Sequence, residues 1–174
     1  MKATEIAGLV CCCAPRARRG GPDSGPYIYN IFMEFLTKFR TPVGFLLRET
    51  YDDALNHLSN RHLFSPSYII IGGRQPGEGA IISRDRMKAA DVMTLSEKQW
   101  FLVETNFDHW DKDQDKRRIT AAKALKAIGR RRLNADSMLK VLRTVPVKNN
   151  GTLFSTVMSA RFPLLIKNST FVWE

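Results

Sequence analysis

Two apolar, β-branched runs, Ser67–Gly72 and Ala80–Arg84, are separated only by the loop Gly72-Gly73-Arg74-Gln75-Pro76-Gly77-Glu78-Gly79. A connection this short and this rich in glycine turns the chain back on itself, so the two runs are expected to pair as an antiparallel hairpin. The loop does not follow a phosphate-binding pattern, because neither Lys-Ser/Thr nor a helix comes after it. Trp100–Thr105 reads as a third strand and Leu153–Ser159 as a fourth. Between them lie two helical patterns. Thr120 opens the first, which places Ala121, Ala124, Leu125 and Ile128 on one face and ends at Gly129. Asn134 caps the second, with Ala135, Met138, Leu139 and Leu142 inward. The order β-β-β-α-α-β with short connections predicts an α+β fold, an antiparallel sheet covered by helices.

Upstream of the hairpin, Thr50 and Asp53 form a capping pair for a helix with Tyr51, Ala54, Leu55 and Leu58 on its apolar face. Before that, Ile28, Ile31, Phe32, Phe35, Leu36 and Phe39 recur at helical spacing, so 27–39 reads as an amphipathic helix. It serves either core packing or contact with a membrane surface. The breaker-rich stretch Gly20-Gly21-Pro22-Asp23-Ser24-Gly25-Pro26 marks the boundary of the folded part. Residues 1–26 are expected to be an unrelated, disordered leader. Their apolar stretch Ile6–Ala14 is short and Glu5 intervenes after Lys2, which does not make a convincing signal peptide.

The 174 residues carry a net charge of +10, which favours anionic partners, nucleic acid or an anionic membrane surface. No zinc-finger spacing, RNA-binding aromatic signature or helix-turn-helix pattern is present, so nucleic acid is not expected as a partner. The triplet Arg130-Arg131-Arg132 reads as a solvated turn between helices. Cys11, Cys12 and Cys13 are consecutive and the histidines are scattered at 57, 62 and 109, so neither a disulfide framework nor a metal site is expected, and no cofactor is implied. No apolar run approaches the roughly 20 residues that span a bilayer.

The chemistry-bearing residues concentrate in Glu104-Thr105-Asn106-Phe107-Asp108-His109-Trp110, followed by Lys116-Arg117-Arg118. A side-chain amide, a carboxylate, an imidazole and paired guanidinium groups follow the apolar run Trp100–Val103. Polar clusters just past a strand end are where α/β enzymes place their chemistry, although such turns also occur as plain solvated loops.

The segment 103–110 and Arg117-Arg118-Ile119-Thr120-Ala121-Ala122-Lys123-Ala124-Leu125 resemble the family of N-acylethanolamine-hydrolysing acid amidase and acid ceramidase. So do Tyr68-Ile69-Ile70-Ile71-Gly72-Gly73, Gly77–Arg86, Val145–Asn150 and Ser155–Ala160. The six segments lie in order between Tyr68 and Ala160, the resemblance as a whole runs from about Tyr27 to Ala160, and residues 161–174 depart from the family pattern. The resemblance implies the C-terminal part of the family's β subunit. It also implies a partial N-terminal-nucleophile hydrolase fold, an αββα sandwich. The implied substrate is a fatty-acyl amide lipid, and the implied compartment is the lysosome.

In that family an N-terminal cysteine attacks the amide while its α-amine carries the proton. The resemblance assigns Asn106 as the donor to the developing oxyanion. It assigns Arg117 to the arginine that faces the nucleophile, with Arg118 as the alternative, because the intervening loop is shorter here and Lys116 replaces an aspartate. Nothing in the sequence matches the family's Cys-Thr-Ser nucleophile segment, and Cys13-Ala14-Pro15 has the wrong neighbours. The chain is therefore expected to be inactive alone, lacking the family's α subunit and the N-terminal part of its β subunit. Sequons at Asn150 and Asn168 fit a secretory route.

Overall fold

The computed structural model describes residues 50–63, 65–110, 115–150, 152, 154–161 and 166–170. The expected helix at 27–39, the leader and the three cysteines lie outside them.

Helix α1, Tyr51–Asn60, starts at a capping box. The Thr50 hydroxyl accepts from the Asp53 backbone N–H at 3.2 Å, and the Asp53 carboxylate accepts from the Thr50 N–H at 3.3 Å. Hydrogen bonds from the Thr50 side chain and backbone hold the Asp53 carboxyl below its ordinary pKa. Asp52 and Asp53 also lie where the helix dipole favours negative charge.

The expected hairpin forms from β1, Ser67–Gly72, and β2, Gly79–Arg84, in the antiparallel register Ser67↔Arg84 to Gly72↔Gly79. Gly77 turns its loop with φ +91°, a left-handed value that favours glycine. Strand β2 is central, because β3, Ala89–Thr94, pairs antiparallel on its other side. Neighbouring side chains on a strand face opposite ways. Ile81 and Ile82 are exposed by only 1% and 0%, so β2 is covered on both faces.

Strand β3 was not expected. Its alternation is real: Ala89, Asp91 and Met93 are half-buried while Ala90, Val92 and Thr94 are exposed. An aspartate on the inner face and a valine on the outer one cancel the hydrophobic signal. Conversely, Trp100–Thr105, expected as a strand, has no ladder partner among the described residues. Its apolar side chains pack instead: Trp100, Phe101 and Val103 rest against the helical core, with Trp100 and Phe101 edge to face.

Helix α2, Lys116–Ile128, begins four residues before Thr120 because Asp115 caps it, accepting from the Arg117 backbone N–H at 2.8 Å. Gly129 ends it with φ +75°. A 3₁₀ turn, Arg130–Arg132, follows, and the Arg132 guanidinium folds back onto the carbonyls of Ile128 and Ala127 at 2.8 and 2.9 Å. That return satisfies two acceptors the helix end leaves open. Helix α3, Ala135–Arg143, starts at a second capping box between Asn134 and Ser137. It buries Ala135, Met138, Val141 and Leu142 against Ala121 and Leu125 of α2 and Val157. Val157 belongs to β4, Phe154–Met158, which pairs antiparallel with β5, Ile166–Thr170, so the tail that departs from the family pattern supplies a strand.

One buried charge ties α1 to the sheet. Arg84 at the end of β2 is 0% exposed and donates to the backbone carbonyls of Ser59 and Arg61. Burial pulls its pKa down, against the opposing effect of Asp85. Arginine stays protonated even so, and its fork satisfies carbonyls at the end of α1. Arg84→Met preserves most of the stem and removes the guanidinium. It is expected to cost about 2–4 kcal/mol in urea unfolding, because two acceptors lose their donor. A cost below about 1 kcal/mol would mean that water takes over those carbonyls.

Candidate active site

The segment 104–110 is held at the N-terminal end of α2 by two adjacent arginines that do different things. Arg117 grips Asp115, with Nε 3.2 and 3.1 Å from Oδ1 and Oδ2 and Nη2 2.7 Å from Oδ2. The same Nη2 donates to Asn106 Oδ1 at 2.7 Å. Arginine has no acceptor, so the Asn106 atom facing it is the carbonyl oxygen, and the amide Nδ2 is left as a donor pointing elsewhere. The two residues assigned from the family resemblance are thus brought into direct contact.

Arg118 turns into the loop. Its Nη2 lies 2.6 Å from Glu104 Oε1 and also donates to the Phe107 carbonyl, while Nη1 reaches the Asp108 carbonyl at 3.4 Å. The Arg118 side chain is 20% exposed and its partner Glu104 2%, against 32% for the Arg117 side chain. Of the pair, Arg117 is the more open one and Arg118 the internal one.

Two further ties come from the three-stranded sheet. The Tyr68 hydroxyl of β1 donates to Asp108 Oδ1 at 2.7 Å. His109 Nε2 lies 3.4 Å from Asp91 Oδ2 of β3, and its ring meets Trp110 edge to face at 4.6 Å. His109 therefore ties the loop to β3.

The electrostatics follow the geometry. Burial pushes the Glu104 carboxyl above its ordinary pKa, while the Thr105 backbone N–H and Arg118 pull it down without cancelling that rise. Burial also acts to raise Asp115, but the hydrogen bonds from the Arg117 side chain and backbone outweigh it, and the carboxyl sits below its ordinary value. Among the described residues no group of three or more His, Cys, Asp or Glu is placed to hold a metal ion.

Asp115 escaped the sequence reading. The aspartate expected immediately before Arg117 is replaced by Lys116, but Asp115, one residue further back, supplies both the helix cap and the carboxylate. An Asp two residues ahead of a basic pair, at the start of a helical pattern, is the signal that marks it. Glu104 was visible in the motif without a role.

The antiparallel three-stranded sheet with its helices is that of part of an N-terminal-nucleophile hydrolase fold. The comparisons with known proteins give the family. The chain is 54% identical over 148 residues to an N-acylethanolamine-hydrolyzing acid amidase of Caenorhabditis elegans, covering 80% of this chain and 42% of the relative. The Oryctolagus cuniculus enzyme of the same name is 41% identical, covering 71% of this chain and 37% of its own length. Acid ceramidase of Macaca fascicularis is 37% identical, with 67% and 32% covered. A solved structure of the Caenorhabditis elegans ortholog superposes with a TM-score of 0.61 at 53% identity, over 81% of this chain and 64% of that one. No protein-family model matches. The chain belongs to the family of N-acylethanolamine-hydrolysing acid amidases and acid ceramidases. It spans about a third to about two fifths of the length of these curated relatives.

The site makes a pH prediction. A carboxyl held below its unfolded pKa stabilises the fold above the ordinary carboxylate range, and that contribution is lost as pH falls through the folded value. Asp115→Asn keeps a good cap and removes the charge. Its melting temperature is expected to fall less than the parent's between about pH 7 and pH 3, because the Asp115 term is gone from the start. Asp115→Ala loses the cap as well and is expected to be about 1 kcal/mol less stable than Asp115→Asn. Parallel pH curves for parent and Asp115→Asn would show that the Arg117 pair contributes nothing.

Proposed function

We propose that residues 27–160 are the C-terminal portion of a cysteine amidase that hydrolyses N-acylethanolamines to fatty acid and ethanolamine. The contact of Arg117 with Asn106 Oδ1 carries this reading. It frees and aims the Asn106 Nδ2 amide to donate to the oxyanion that forms when a thiolate adds to the substrate carbonyl. A fixed donor of that kind is worth about 3–4 kcal/mol, because it is aimed before the charge develops and does not reorganise. Arg117 does a second job: its side chain, paired with Asp115 yet 32% exposed, offers hydrogen-bond donors that favour thiolate over thiol in a nucleophile brought near it. Arg118, committed to Glu104 and to loop carbonyls, is not free for that task.

The nucleophile itself is supplied by the upstream part of the family protein, which also brings the α subunit as a partner. The higher identity to the ethanolamide enzymes, with Asp108-His109-Trp110 and the run Ile119–Leu125, favours fatty-acid ethanolamide over ceramide as substrate. The complete protein is proposed to work in the lysosome, glycosylated at Asn150 and Asn168. Contact with anionic membrane surfaces is proposed to deliver the lipid, drawn by the net charge of +10.

Two measurements test this. The purified chain alone is expected not to turn over a fluorogenic fatty-acyl amide at acidic pH. Turnover blocked by a cysteine alkylating reagent would instead give the nucleophile's role to Cys11, Cys12 or Cys13. Joined to the upstream part of the Caenorhabditis elegans relative, residues 27–160 are expected to be active. In that protein Asn106→Ala is expected to lower the rate about 10²–10³-fold with folding intact. Arg117→Ala is expected to slow both turnover and alkylation of the nucleophile. Full activity in Asn106→Ala would remove the oxyanion assignment.

A further inference from the structure

Arg118 has no role in the chemistry proposed above, yet both of its Nη groups are committed within the site. Its Nη2 serves a buried carboxylate, Glu104, and the carbonyl of Phe107, and its Nη1 reaches the carbonyl of Asp108. Those two carbonyls belong to the residues that directly follow Asn106. A turn whose carbonyls are fixed from one side has little freedom left at the residue that opens it. We propose that Arg118 is a positioning residue for Asn106: by clamping the backbone at 107 and 108 it fixes the direction in which the Asn106 amide points. This inference rests on the proposed role of Asn106, but its test does not.

The geometry separates this role from that of Arg117. Arg117 holds the Asn106 side chain by its oxygen and so sets which face of the amide is the donor. Arg118 holds the main chain and so sets where that face is aimed. Glu104 completes the clamp from behind, because its Oε1 accepts from both Arg118 and the Thr105 backbone N–H at 2.6 and 2.8 Å, on either side of the turn. A lysine cannot replace Arg118. Its ammonium is a single point of donors and does not present the planar fork that meets a carboxylate and two carbonyls together.

The Asn106 side-chain amide reports on this directly by nuclear magnetic resonance in the full ¹⁵N-labelled chain, with its signals assigned by their loss in Asn106→Asp. In the parent the amide pair is expected to be rigid. In Arg118→Ala and in Arg118→Lys it is expected to gain fast motion, with an order parameter falling below about 0.6, while the backbone amides of α2 and α3 stay rigid. Glu104→Gln, which keeps an oxygen acceptor for Arg118, is expected to preserve most of the order. An unchanged Asn106 amide in Arg118→Lys overturns the proposal. Loss of order throughout α2 and α3 together with Asn106 in that variant also overturns it, since Arg118 would then be a residue of general stability. Neither outcome touches the amidase reading, which is decided by turnover in the joined protein.

Discussion

The bidentate hold of Arg117 on Asp115 is the interaction on which the rest of the site depends. A helix that begins Lys-Arg-Arg places three cations at the end where its own dipole is positive, which is unfavourable on its own. Asp115 offsets this twice, by capping the backbone and by neutralising the nearest guanidinium. Glu104 neutralises the next one from within the protein. With both charges matched, the start of α2 becomes a rigid base of donors against which an otherwise irregular loop is laid. The ties from Tyr68 and Asp91 then connect that loop to the three-stranded sheet.

How much of this was legible in the sequence depended on whether one pattern or several decided each element. The hairpin β1–β2 and helix α3 were readable because composition, period and punctuation agree there: β-branched runs around glycines, and Asn134 ahead of a periodic apolar face. Strand β3 was not, because Asp91 and Val92 occupy the wrong faces for an apolar/polar alternation. Trp100–Thr105 was misread for the opposite reason. Its apolar residues are spent on packing against the helices, and burial of that kind leaves the same mark in a sequence as a buried strand.

The site shows the same division. Asn106 and Arg117 came from resemblance, and their contact across 2.7 Å is a fact of the fold that spacing alone does not give. Thr120 is a residue type that caps helices, but Asp115 does the capping, so α2 starts four residues earlier than the sequence pattern predicts. Two adjacent arginines are equivalent in a sequence; the fold separates them, with Arg117 on Asp115 and Asn106 and Arg118 on Glu104 and the loop carbonyls.

The buried pairing of Glu104 with Arg118 constrains how this region changes over generations. Removing Arg118 alone strands a carboxylate that is 2% exposed, and removing Glu104 alone strands a guanidinium among carbonyls. Either single step costs more than replacing both partners with apolar residues of similar volume. Positions 104 and 118 are therefore expected to vary together across descendants, as do 115 and 117. Mutational paths through this loop run in paired steps.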